Sequence, residues 1–226
     1  DLEKLGSWVE TLGWQDVVGL MDMGLRGGLI KGDKLIGFFE RNFVDRDFTA
    51  LLHSFGCVAT DLQSGHEVWL REGSVSAAVR ASIALPGLLT PAWQDGRLLV
   101  DGALVNPVPV SLARAMGADI VIAVDLGSDV IGRRVAAPPP PMAPAWRQRL
   151  AQLLGQPADT AGNGASSPSL LDVVAGSINI MQVRIARSRL AGEPADVLIA
   201  PRLAQVGLFD YHRGEEAIVE GREAVR

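Results

Sequence analysis

The sequence predicts an α/β fold, and three observations carry that prediction. Ile120-Val-Ile-Ala-Val124 is apolar at every position, as a strand covered by helices on both faces must be. Arg97-Leu-Leu-Val100 is a second, shorter apolar run. Between them, Val108 to Met116 is helical, with prolines at its entry and Gly117 at its exit. Strand, helix and strand in so short a span read as a βαβ unit, so the expectation is a mainly parallel central sheet covered by helices.

The other elements follow from the same rules. In residues 1–43, Leu2, Leu5, Val9 and Leu12 recur at helical spacing, and Gly32-Asp33 offers a capped start to a helix from Lys34 to Phe43. Arg26-Gly-Gly-Leu-Ile-Lys-Gly32 lies between these helices. It has no apolar strand leading into it, so it reads as a loop and not as a phosphate-binding glycine turn. Phe55 to Thr60 and His66 to Leu70 are short strands joined by the polar turn Asp61-Leu-Gln-Ser-Gly65, which predicts a hairpin. Val75 to Leu85 is an Ala-rich buried helix stopped by Pro86 and Gly87. Leu170 to Leu190 is a long helix, Val197 to Ala200 a last strand and Gly214 to Arg226 a closing helix.

Seven of the thirteen prolines fall between Pro138 and Pro168. Residues 132–168 are therefore expected to be a flexible insertion, with a short helix near Trp146 to Leu154. The domain reading has residues 1–131 as the main unit and residues 169–226 as helices and a strand packed on it.

Composition narrows the function classes. With 226 residues, 48% of them hydrophobic, the chain can bury one substantial core. A formal charge of −5, with Lys and Arg scattered, lacks the cation stripe that a nucleic-acid surface needs. Cys57 is the only cysteine, and its apolar setting makes it a buried structural thiol; the default compartment is cytoplasmic. No run approaches the ~18 apolar residues of a spanning helix. His53, His66 and His212 are far apart without carboxylate or cysteine neighbours at ligand spacing, so neither a metal nor an organic cofactor is expected. Trp8, Trp14, Leu20, Met21, Met23 and Leu25 fit either a face that meets lipid or core packing, the plainer reading.

Two Asp-Gly pairs stand close together. Asp95-Gly96 sits among polar residues and reads as a tight hairpin turn. Asp101 follows an apolar strand and precedes the loop into a helix, which is where an open parallel sheet collects catalytic groups. Gly102 would let the backbone turn away and leave the carboxylate facing a crevice. Position alone leaves Asp101 open as either turn or catalyst. Asp61 and Asp125 also end apolar strands, without an acid partner, and are assigned structural roles.

Four stretches tip the balance: Cys57-Val-Ala-Thr-Asp-Leu62, Val79-Arg-Ala-Ser-Ile-Ala-Leu-Pro-Gly87, Val100-Asp-Gly-Ala-Leu-Val-Asn-Pro-Val-Pro109 and Met116-Gly-Ala-Asp-Ile-Val-Ile-Ala-Val-Asp125. In order and spacing they resemble the patatin-like phospholipase family, nearest to its bacterial neuropathy-target-esterase-like branch. The resemblance covers about residues 1–130. It implies a three-layer α/β fold and hydrolysis of lipid acyl esters, with peripheral membrane contact. It also implies that Asp101, in the motif Asp101-Gly102-Ala103, is the general base of a Ser–Asp dyad.

The family's other signature, Gly-x-Ser-x-Gly, does not occur in these 226 residues. Gly73-Ser-Val-Ser-Ala77, Gly127-Ser128 and Gly176-Ser177 are near misses that read as caps or packing residues. The glycine-rich oxyanion loop is missing too. In family order both belong upstream of Asp1, so the expectation is an N-terminally truncated chain that lacks the first strand and elbow helix, has no nucleophile and is inactive alone. The alternative is a non-catalytic module that binds lipid or protein on the same scaffold.

Overall fold

A computed structural model of the chain describes residues 2–11, 19, 28–42, 46–128, 170–207 and 210–226. In chain order come α1 (Leu2–Thr11), β1 (Gly28–Ile30), α2 (Asp33–Asn42), β2 (Cys57–Asp61), β3 (Glu67–Leu70), α3 (Val75–Ser82), β4 (Gly87–Leu89), β5 (Ala92–Gln94) and β6 (Arg97–Asp101). Then follow α4 (Val110–Ala115), β7 (Ile122–Val124), α5 (Leu170–Gly192), β8 (Val197–Ile199) and α6 (Gly214–Ala224). Helices and strands interleave, and the α/β class holds.

Two local turns build the principal sheet. The β2–β3 hairpin closes where the Asp61 carboxylate accepts from the Gln63 amide at 2.9 Å and Gly65 N–H donates to the Asp61 carbonyl at 2.8 Å. The β5–β6 hairpin closes over Asp95 and Gly96, at φ 50° and 74°. These are the left-handed values that a two-residue hairpin turn requires and that Asp-Gly adopts readily. β2 and β6 then pair with each other, Ala59 opposite Asp101 and Asp61 opposite Leu99. The resulting order is β3-β2-β6-β5, antiparallel throughout.

Strand direction is thus not what the βαβ reading expects. β6 lies in the antiparallel sheet, whereas β7 pairs in parallel with β8 in a separate two-stranded sheet. The reason is mechanical: tight turns can join only antiparallel neighbours, and an apolar run does not encode which strand it will meet. A second correction concerns residues 26–32. Gly28–Ile30 is a strand, parallel to β4 with Gly28 opposite Gly87 and Ile30 opposite Leu89. Its partner lies far along the chain, so no local signal announces it.

The core divides into two clusters. Leu99, Ala59 and Leu70 on one face of the sheet pack against Val75, Ala78 and Ala81 of α3, together with Phe48. Alanines on the inner face of α3 let its backbone approach the sheet closely, and Ser74 caps it by accepting from the Ala77 amide. The second cluster joins Val108, Val110, Val121 and Ala123 to Ala186 of α5. At the amino-terminal end Trp8 stacks on Phe38 with ring centroids 4.9 Å apart, so it packs against α2. Trp14, Leu20, Met21, Met23 and Leu25 lie outside the described residues, as do the whole 132–168 segment and its expected helix. Among the described residues, no helix is long and apolar enough to cross a membrane.

Candidate active site

Asp101 is the last residue of β6, and three hydrogen bonds hold it. Its N–H donates to the Ala84 carbonyl at 3.0 Å, and its carbonyl accepts from the Thr60 hydroxyl at 2.8 Å. Its carboxylate accepts from the Ala103 N–H at 2.7 Å, capping the one-turn 3-10 helix Gly102–Leu104. Backbone and side chain are thereby fixed by β2, by the turn after α3 and by the residues just ahead. These anchors come from three of the four stretches that carry the family resemblance.

Asp101 is half-buried. Burial pushes its carboxyl above the usual range, and the Ala103 amide offsets this in part by stabilising the anion. A carboxylate raised in this way is a stronger base than an exposed one.

Gly102 is required for a reason other than the expected one. Its φ is not in the left-handed region, so a sharp turn is not the cause. A side chain there would run into the β2 backbone: a Cβ would overlap the Val58 carbonyl oxygen and lie 2.6 Å from its carbon. Glycine lets the loop after Asp101 cross directly over β2.

The remaining candidates take the structural places assigned to them. Asp61 closes its turn, and the amides of Gln63 and Ser64 hold its carboxyl below the usual range. The Asp125 carboxylate accepts from the Gly127 N–H at 2.9 Å. Ser74 is a helix cap, Ser76 bonds Glu40 at 2.6 Å, and the hydroxyls of Ser128 and Ser177 donate to nearby main-chain carbonyls. Burial pushes the Cys57 thiol up to about 11, which keeps it protonated and unreactive near neutral pH. His53, His66 and His212 are exposed. A cavity of about 330 Å³ lined by residues including Trp69, Arg71, Gln94 and Arg97 does not reach Asp101.

Sequence reasoning missed the groups around Asp101. Thr60 looks like any polar position on a strand, and Ala84 acts only through its carbonyl. Asn106, 3% exposed, belongs to a buried polar network with Glu67, Ser111 and Arg189. The available signal was Asn106 itself, the one amide side chain in an otherwise apolar stretch after the Asp-Gly pair.

Fold and site define an α/β protein that presents a partly desolvated, rigidly held carboxylate at the end of a strand. The chain belongs to the patatin-like phospholipase family, whose model matches residues 3–114. It is similar to an uncharacterized NTE family protein of Mycobacterium tuberculosis, 28% identical over 273 residues that cover 98% of this chain and 75% of that protein. A second such protein of the same organism is 30% identical over 212 residues, 89% of this chain and 32% of its own length. A mouse patatin-like phospholipase domain-containing protein 7 is 39% identical over 88 residues, covering 38% of this chain and 6% of that protein. The family places the chain among lipid hydrolases in general.

Proposed function

We propose that the intact protein hydrolyses acyl esters of lipids (phospholipids, lysophospholipids or simple esters) through a Ser–Asp dyad in which Asp101 is the general base. The observation that supports this most is the Asp101 carboxylate, half-buried, raised by burial and aimed by the Ala103 amide. In this reading Asp101 takes the proton of a serine hydroxyl as that oxygen attacks the ester carbonyl. Collapse of the tetrahedral intermediate expels the alcohol, which takes up the proton, and leaves an acyl-serine. Asp101 then takes a proton from water, the resulting hydroxide-like oxygen attacks the acyl-serine, and the fatty acid and free serine are released. The serine and the oxyanion donors are supplied by polypeptide outside these 226 residues. The substrate implies peripheral contact with a lipid surface and no cofactor.

Asp101→Asn in the intact protein tests the assignment. The loss of turnover on a short-chain p-nitrophenyl ester is expected to be about 10³-fold or more, with the far-UV spectrum unchanged. Turnover within a few-fold of wild type would sink it. The alternative reading is a non-catalytic module on the same scaffold that binds lipid or protein. That reading requires the intact protein to bind vesicles or a partner without releasing fatty acid.

A further inference from the structure

Among the described residues the Asp101 carboxylate is oriented by a single amide, that of Ala103, so whatever fixes the loop carrying Ala103 also fixes the base. That loop is short and closed: Val105 N–H and Asn106 N–H both donate to the Gly102 carbonyl, at 3.1 and 2.9 Å. Beneath it lies the polar network. The Asn106 side-chain amide donates to Glu67 at 2.8 Å and to the Ser111 hydroxyl at 3.1 Å. The Glu67 carboxylate also accepts from the Trp69 indole at 2.6 Å and from Arg189 of α5 at 2.8 Å. Arg189 in turn donates through Nε to the Val105 carbonyl at 3.2 Å. Glu67 stands opposite Thr60 in the β2–β3 register, and Thr60 is the residue whose hydroxyl holds the Asp101 carbonyl.

We propose that Glu67, Asn106 and Arg189 are positioning residues, which clamp the Gly102–Pro107 loop from two sides and thereby fix the Ala103 amide on the Asp101 carboxylate. The catalytic part of this inference rests on the reading of Asp101 as base; the clamp itself rests on the contacts. The Asn106 amide is locked in one orientation, because turning it over would set its carbonyl oxygen against the Glu67 carboxylate. In the observed orientation that oxygen is buried with no hydrogen-bond partner among the described residues, a destabilising arrangement accepted in return for an N–H aimed at Glu67. Arg189 reaches both the carboxylate and the loop carbonyl because its guanidinium presents donors in a rigid fork. Residues far apart in the chain thus meet at the loop behind the base, and α5 becomes part of the site's support.

The readout that separates a clamp from an ordinary staple is the titration of Asp101. The charged or titratable side chains described on the elements around it are Cys57 and Asp61 of β2, Glu67 of β3, Arg80 of α3, Arg97 of β6 and Arg184, Arg187 and Arg189 of α5. None is a cause of its shift, which comes from burial and the Ala103 amide alone. Loosening that amide therefore raises the carboxyl further.

In the intact protein carrying ¹³C-carboxyl aspartate, with the Asp101 signal assigned by its loss in Asp101→Asn, Glu67→Ala is expected to move the Asp101 midpoint upward. It should also lower kcat on a short-chain p-nitrophenyl ester about 10-fold, with KM within about twofold and the acid limb of the rate profile shifted in parallel. Glu67→Gln, which retains an acceptor for Asn106, should recover part of both. Arg189→Met removes only the half-exposed partner; it serves where Glu67→Ala does not fold and should shift the midpoint in the same direction by less. A lowered melting temperature with an unmoved midpoint in these variants would make the network a staple and overturn the proposal. A moved midpoint in a protein whose Asp101→Asn variant keeps its turnover would leave the clamp standing and overturn the reading of Asp101 as base.

Discussion

Two strands of this molecule have nearly the same sequence character, Leu98-Leu-Val-Asp101 and Ile122-Ala-Val-Asp125, and the fold treats them differently. β6 has a partner on each side and cover on both faces, so Leu99 and Val100 are each 1% exposed. β7 has one described partner, β8, and only its Ala123 is buried. Ile122 is 62% exposed and Val124 49%, and across the pair Val197 and Leu198 are exposed as well. An apolar run therefore specifies a strand without specifying that both its faces will be covered. The aspartates that follow the two apolar runs do not simply repeat this contrast, since Asp125 is buried and Asp101 half-buried. Each carboxylate accepts the amide two residues ahead, Gly127 N–H for Asp125 and Ala103 N–H for Asp101, and burial makes the Asp101 carboxylate more basic.

The contrast can be broken at several points. The largest expected effect is at the glycines beside the two aspartates. Gly102→Ala would force a methyl into the Val58 carbonyl and should cost about 3 kcal/mol or more in urea unfolding. Gly127→Ala would meet a Val183 methyl at 3.2 Å and the Asp125 carboxylate at 3.5 Å, both side chains that can give, and should cost less than about 1 kcal/mol. Equal costs would mean that the crossing over β2 is not tight.

Next come two identical truncations. Leu99→Ala removes a fully buried side chain and should cost about 3 kcal/mol. Leu198→Ala, at a side chain 52% exposed in β8, should change stability by no more than about 0.5 kcal/mol. A large loss at Leu198 would show that this side chain is covered in solution.

The smallest effect is also the one with a pH signature. Because the fold raises the Asp101 carboxyl above its unfolded value, Asp101 contributes stability that is fully present below the ordinary carboxylate range. That contribution is lost as pH rises through the folded value. Asn does not titrate and can still accept from the Ala103 amide. The stability of Asp101→Asn relative to wild type should therefore climb as pH rises from the ordinary carboxylate range through the folded value, and level off above it. A melting-temperature difference that stays flat with pH would place Asp101 in water.

Much of the site was legible because its signals are local. The turn at Asp95-Gly96, the hairpin over residues 61–65 and the Ala-rich helix at Val75 each rest on backbone preferences of a few adjacent residues, and each appears in the structure. Asp101 could be singled out because it lies in one of four short stretches that together resemble one family; its place after an apolar run, shared with Asp61 and Asp125, did not suffice. Glu67, Asn106 and Arg189 could not, since each is an unremarkable polar residue until a distant segment is folded against it. The strand at Gly28–Ile30 escaped for the same reason, its partner being Gly87–Leu89.

By itself, then, the sequence determined the kinds of element, the tight turns, the Asp-Gly-Ala motif and the family it marks, because periodicity, turn chemistry and short motifs are properties of neighbouring residues. The tertiary structure alone decided strand direction, the partition into separate sheets, the steric demand for glycine at 102 and the burial that raises Asp101. Each of these depends on which remote surface comes to lie against a given residue, and water exclusion and backbone crossing exist only once both surfaces are in place.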